Sequence, residues 1–68
     1  MNEFEHYLIK KKIDPIKFKR DEGPLYLIFE NTYLEIHPKS FTAQKLFLLN
    51  KIRRKYLLTD DLNFEKNQ

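Results

Sequence analysis

Apolar residues recur at the spacing of an α-helix along most of the chain. In the first segment, residues 2–12, Phe4, Tyr7 and Leu8 lie three or four positions apart among good helix formers. This spacing predicts a short first helix with one apolar face. The last ten residues, 59–68, show neither a helical nor a strand period, and we expect them to form a flexible, disordered tail.

A second short helix is predicted to begin at Pro15. Asp14 can accept hydrogen bonds from the free amides of the first turn as N-cap, and proline has the backbone angle that this turn needs. Ile13, just before the cap, is expected to pack against Phe18. The helix should stop near Gly23-Pro24, because glycine tolerates the left-handed conformation of a helix C-cap.

Residues 25–36 fit two structures. Two apolar runs, Leu25 to Phe29 and Tyr33 to Ile36, could pair as a β-hairpin, but the three residues between them include no glycine. A helix places six residues on one stripe, namely Leu25, Ile28, Phe29, Thr32, Tyr33 and Ile36. We favour the helix. Tyr26, Leu27 and Leu34 then fall outside its stripe, so the helix is apolar on much of its circumference.

The longest helix is predicted over residues 41–56, after a break at residues 37–40. Ser40 is the expected N-cap, and His37 is expected to cap the last carbonyls of the preceding helix. The inner stripe of the long helix is formed by Phe41, Leu48, Leu49, Ile52 and Tyr56. Leu46, Phe47, Leu57 and Leu58 extend the apolar surface beyond this stripe.

These elements predict an all-α fold: a small orthogonal or up-down bundle of three to four short helices. The domain is expected to span residues 1–58, with residues 59–68 as its tail. Three stretches are the most characteristic: Ile13-Asp14, His37-Pro38-Lys39-Ser40-Phe41-Thr42-Ala43-Gln44-Lys45-Leu46 and Ile52-Arg53-Arg54-Lys55-Tyr56. With them, residues 1–58 resemble a group of short bacterial proteins of unknown function. The resemblance implies a small all-helical domain and implies no activity, cofactor or partner.

The apolar content exceeds what one buried stripe per helix can hide. In a chain of 68 residues, burial of apolar side chains only narrowly offsets the conformational entropy lost on folding. A partner that covers the remaining apolar surface would therefore stabilise the fold. We therefore expect a non-catalytic protein-protein interaction module, docking on another protein or forming a homodimer. The alternative is that the first two helices cover this surface. The candidate interface residues are Tyr26, Leu27, Leu34, Leu46, Phe47 and Leu57.

Positive charge is concentrated in the second half of the chain. Residues 1–34 hold six bases and six acids, whereas residues 35–68 hold seven bases and four acids, giving a net charge of +3. Five bases follow one another without an intervening acid: Lys45, Lys51, Arg53, Arg54 and Lys55. Nucleic-acid binding, or binding of another polyanion, through this last helix is the alternative function. The simpler interpretation is a solvated helix end, where cations complement the helix dipole.

Nothing in the sequence indicates an enzyme. The two histidines, His6 and His37, lack the spacing that directs two ligands at one metal, and Ser40 has no base at a known spacing. With no cysteine, the chain offers no thiolate ligand and suits a reducing compartment, so we expect a cytoplasmic protein. We expect no metal, cofactor or small-molecule substrate, and no membrane span or signal peptide.

Overall fold

Four α-helices follow one another along residues 2–58, which are the residues that the computed structural model describes. They are α1 (Glu3–Lys10), α2 (Pro15–Asp21), α3 (Gly23–Glu35) and α4 (Pro38–Lys55). No strand occurs within residues 2–58, so the all-α prediction is confirmed, and residues 25–36 belong to a helix rather than a hairpin. The tail predicted for residues 59–68 lies outside the described residues.

Polar caps define the starts of the first two helices. Asn2 and Glu5 form a reciprocal capping box at α1, with both hydrogen bonds 2.8 Å long. Asp14 accepts hydrogen bonds from the backbone amides of Ile16 and Lys17 at 3.0 and 3.2 Å, and Pro15 is the first residue of α2, as predicted.

Three predicted caps are wrong. The Lys39 amide donates to Nδ1 of His37 at 3.0 Å, so His37 caps the start of α4 instead of the end of α3. The helix begins at Pro38, and Ser40 is an exposed residue inside it. The helix α2 ends at Asp21, near Gly23-Pro24 as predicted, but Gly23 begins α3 and is not the C-cap of α2. In both α3 and α4 a proline occupies the first turn. Its fixed backbone angle suits this turn, and its missing amide hydrogen removes no helical hydrogen bond there.

The core is a cluster of aromatic rings centred on Phe41. Its ring lies 6.1 Å from that of Phe4, 5.4 Å from Tyr7, 5.8 Å from Phe29 and 5.5 Å from Tyr33, mostly edge to face. All four helices, the α1–α2 loop and the residue after α4 contribute buried apolar side chains: Phe4, Tyr7, Leu8, Ile13, Phe18, Tyr26, Phe29, Phe41, Leu49, Ile52 and Tyr56.

Three residues differ from their predicted burial. Tyr26 is buried, with 3% of its surface exposed, because the rings of Phe4 and Phe18 both pack against it at 5.2 Å. The prediction that Tyr26 is exposed at an interface is therefore wrong. Ile28 and Leu48 were expected to face the core but are 57% and 42% exposed. The helices α1 and α2 cover α3 on its Tyr26 side, which leaves Ile28 at the surface.

The segment after α4 is joined to the loop between α1 and α2. Ile13 and Leu57 pair in antiparallel orientation, with the Asp14 amide 2.7 Å from the Tyr56 carbonyl oxygen. The Leu58 amide also donates to the Lys12 carbonyl oxygen at 3.0 Å. These bonds hold the end of α1 beside the second half of α4, and this arrangement creates the groove described next.

Candidate functional site

A groove of about 220 Å³ lies between the end of α1 and the second half of α4. We call it the α1/α4 groove. Its apolar part is formed by Leu46 and Leu49, and Thr42 and Asn50 add two uncharged polar groups. Four basic residues complete the lining: Lys10, Lys11, Lys12 and Arg53.

The backbone at the end of α1 places the three lysines along one side of this groove. The Lys12 amide bonds the Ile9 carbonyl oxygen and the Ile13 amide bonds that of Leu8, both at 2.9 Å, which is a Schellman motif. Such a motif needs a left-handed residue, and Lys12 takes this conformation with φ of 65°. Ile13 and Leu8 are both fully buried beneath the turn, so the lysine run is fixed to the core at its end.

The α1/α4 groove is electropositive. No acidic residue lines it within residues 2–58, and Arg53 has no acidic partner among them. The Lys11 ammonium lies 5.5 Å from the centre of the Tyr7 ring and pairs with no carboxylate within residues 2–58. Lys10, Lys11 and Arg53 place three like charges around one concave surface, and these charges raise the local concentration of anions.

The predicted basic run does not form one surface. Arg53 lines the α1/α4 groove, whereas Lys55 turns to the other side of α4 and pairs with Glu22 at 3.2 Å. Lys45 is half-buried with its ammonium 5.5 Å from the Phe29 ring, and Lys51 lies 5.3 Å from the Phe47 ring. Arg54 is exposed on the outer face of α4.

The partners of Arg53 were missed by sequence reasoning. Lys10, Lys11 and Lys12 are not among the candidate site residues predicted from the sequence. Three consecutive lysines at the end of a predicted helix are nevertheless a pattern that could have indicated them. Their proximity to Arg53 depends on the long-range pairing of Ile13 with Leu57, which no local pattern reveals.

The predicted apolar interface is divided among several surfaces. Leu27 and Leu34 share one side of α3, two helical turns apart, and both are exposed. Leu46 lies in the α1/α4 groove, Phe47 on the outer face of α4, and Leu57 in the pairing with Ile13. Consecutive residues of a helix point about 100° apart, so Leu46 and Phe47 do not form one flat apolar patch.

A second groove of about 220 Å³ lies between α3 and α4. Its apolar lining comes from Leu25, Leu48 and Ile52, and its polar lining from Glu22, Lys51 and Lys55. Hydrogen bonds from Tyr56 and Lys55 hold the pKa of the Glu22 carboxyl below its usual value, so the carboxylate is charged at neutral pH. This acid makes the second groove less favourable for an anion than the first.

The polar groups beside the α1/α4 groove are structural. Thr42 donates to the Pro38 carbonyl oxygen at 2.9 Å, so the Tyr7 phenol must be the donor in its 2.6 Å hydrogen bond to Thr42. Burial raises the pKa of the Tyr7 phenol, which keeps the proton on this donor. Within residues 2–58 no group of histidine and acidic side chains is arranged to hold a metal ion.

None of the helices described is both long and apolar enough to cross a membrane. Comparison of the chain with protein-family models, with curated proteins and with solved structures finds no match. The resemblance to short bacterial proteins of unknown function stays a prediction, and any function has to be inferred from the residues themselves.

Proposed function

We propose that the protein is a non-catalytic binding module that holds nucleic acid by its phosphate backbone in the α1/α4 groove. One observation carries this proposal: Lys10, Lys11, Lys12 and Arg53 surround a single concave surface that no acidic residue lines within residues 2–58. The apolar side chains of Leu46 and Leu49 lower the dielectric beside these charges. The absence of cysteine suits a reducing compartment, and we place this binding in the cytoplasm.

Phosphate binding at this groove has a definite salt dependence. Each Lys or Arg that neutralises a phosphate releases condensed counterions, so affinity falls as salt rises. Three contacts, from Lys10, Lys11 and Arg53, give a slope of roughly −2 to −3 in a plot of log affinity against log salt concentration. Contacts to the backbone do not read base edges, so this mode of binding is independent of sequence.

The test is a fluorescence-anisotropy titration with labelled oligonucleotides at several salt concentrations. Removing two groove charges by Lys11→Gln with Arg53→Gln should reduce the magnitude of the salt slope by about 2 and weaken binding at low salt. The control is Lys17→Gln with Lys19→Gln on α2, which removes the same net charge from exposed residues outside the groove. Equal weakening by both variants, or no binding by the wild-type protein at low salt, would overturn the proposal.

A second function, self-association through α3, has its own supporting observation. Leu27 and Leu34 are 56% and 66% exposed on one side of this helix, and Ile28 is exposed on another. A second copy of the chain would bury the Leu27 and Leu34 side, as expected for a small domain with leftover apolar surface. Light scattering should then show a dimer that Leu27→Glu with Leu34→Glu converts to a monomer. A monomer in the wild-type protein at all concentrations contradicts this second function.

A further inference from the structure

Phe47 is the most exposed large apolar side chain within residues 2–58, with 75% of its surface accessible. It lies on the outer face of α4, whereas the buried Phe41 and Ile52 of the same helix face the core. The core therefore gains nothing from an aromatic ring at this position. Solvation also favours a polar residue there.

One cation lies over this ring, and a second lies two turns away on the same face of α4. The Lys51 ammonium, one helical turn further on, lies 5.3 Å from the centre of the Phe47 ring. Arg54 follows two turns after Phe47 on the same face, is exposed, and has no partner within residues 2–58. The small side chain of Ala43, one turn earlier, leaves space beside the ring. An aromatic face flanked by positive charges has the chemistry of a platform for an anionic polymer that carries flat rings.

The outer face of α4 adjoins the α1/α4 groove. Asn50, three residues after Phe47 and therefore its neighbour on the helix, lines that groove. Arg53 is six residues after Phe47, which is about 9 Å along the helix axis and about 120° around it. A strand whose phosphates lie against Arg53 and the lysines can therefore reach Phe47 by curving around α4 over more than one nucleotide.

We propose that Phe47 is a stacking platform for an unpaired base, and that the nucleic acid bound by this protein is single-stranded. This inference rests on the proposed function, because the groove supplies the phosphate contacts. A base within a duplex is already stacked on its neighbours and cannot lie on the ring, whereas an unpaired base of any kind offers a flat face. A duplex can still contact the lysines but gains nothing from Phe47.

A tryptophan at position 47 reports stacking directly. The chain contains no tryptophan, so Phe47→Trp introduces a single tryptophan that keeps an aromatic platform and can be excited at wavelengths that its four tyrosines do not absorb. Single-stranded DNA and RNA oligonucleotides should quench its fluorescence to saturation, and a duplex of the same length should not. The control is Ile16→Trp, which places the single tryptophan at a 74% exposed position of α2, outside the groove. Quenching by the duplex to the same extent overturns the proposal.

The leucine variant measures the contribution of the ring. Phe47→Leu should weaken binding of single-stranded oligonucleotides about tenfold and leave both duplex binding and the melting temperature unchanged. Phe47→Leu could bind like the wild type while Lys11→Gln with Arg53→Gln weakens binding. In that case the stacking role of Phe47 is wrong and the proposal for the α1/α4 groove stands. If no oligonucleotide binds the wild-type protein, both proposals fail.

Discussion

The Tyr56 phenol donates a 2.6 Å hydrogen bond to Oε2 of Glu22, the residue between α2 and α3. The Lys55 ammonium lies 3.2 Å from the same oxygen, and the Tyr56 ring stacks on Phe18 at 5.8 Å. The Asp14 amide bonds the Tyr56 carbonyl at 2.7 Å. Tyr56 thus joins the end of α4 to the start of α2 and to the junction between α2 and α3. These contacts set the position of Arg53 relative to the lysines.

Removing the Glu22 carboxylate should lower the melting temperature. In Glu22→Gln the amide can still accept from the Tyr56 phenol, but the bond loses its charge assistance and Lys55 loses its partner. Tyr56→Phe should lower the melting temperature as well. Glu22→Gln weakens the same hydrogen bond that Tyr56→Phe removes. The melting temperature of the double variant, measured by thermal denaturation, should therefore fall by less than the sum of the two single changes. Additive changes would show that the bond does not stabilise the fold.

Acid should destabilise the wild-type protein more than the Glu22→Gln variant. Hydrogen bonds from Tyr56 and Lys55 lower the pKa of Glu22 in the folded protein relative to the unfolded chain. The lower pKa of Glu22 adds to the free energy of unfolding. This added stability is fully present above the unfolded pKa of about 4.3 and is lost as pH falls through the folded pKa. Melting temperatures recorded between about pH 6 and about pH 2 should therefore converge for the two proteins toward low pH. A constant difference across this range contradicts the prediction.

The helices could be predicted from the sequence where the signal is local. Asp14 and Pro15 are a cap and a first-turn residue next to each other, and α2 begins there. The start of α4 was misplaced because Ser40 is a common N-cap residue and His37 is not. The burial of Tyr26 and the exposure of Ile28 depend on which helices cover α3, and periodicity within α3 holds no such information.

The candidate groove was predictable only in part. Arg53 belonged to a basic run that the sequence singled out, but the lysines at positions 10–12 come to it through the end of α1 and the pairing of Ile13 with Leu57. Helix geometry distributes the basic run around α4, and the tertiary fold brings Lys55 to Glu22 and Arg53 to the groove. Charge proximity across helices is a property of the tertiary fold.

The left-handed backbone at Lys12 gives a direct test of the turn that ends α1. Glycine adopts φ near 65° without the steric penalty of a β-carbon, so Lys12→Gly should be more stable than Lys12→Ala by about 1 kcal/mol. Both variants lose the ammonium group and all its interactions, so their difference isolates the backbone. For a domain of this size, this difference corresponds to roughly 4–8 °C in melting temperature. Equal melting temperatures would show that the turn is not left-handed in solution.

Replacement by alanine should have very different effects on stability at Phe41 and at Phe47, two phenylalanines of α4 that are six positions apart. Phe41 is fully buried among the rings of Phe4, Tyr7, Phe29 and Tyr33, so Phe41→Ala removes the centre of the core and leaves a cavity. The expected cost is about 3–5 kcal/mol, which equals most or all of the stability of a domain this small. Far-UV and near-UV circular dichroism should show Phe41→Ala largely unfolded at room temperature. Phe47→Ala, at a 75% exposed position, should keep the wild-type spectrum and melting temperature, and loss of structure in that variant would instead place Phe47 in the core.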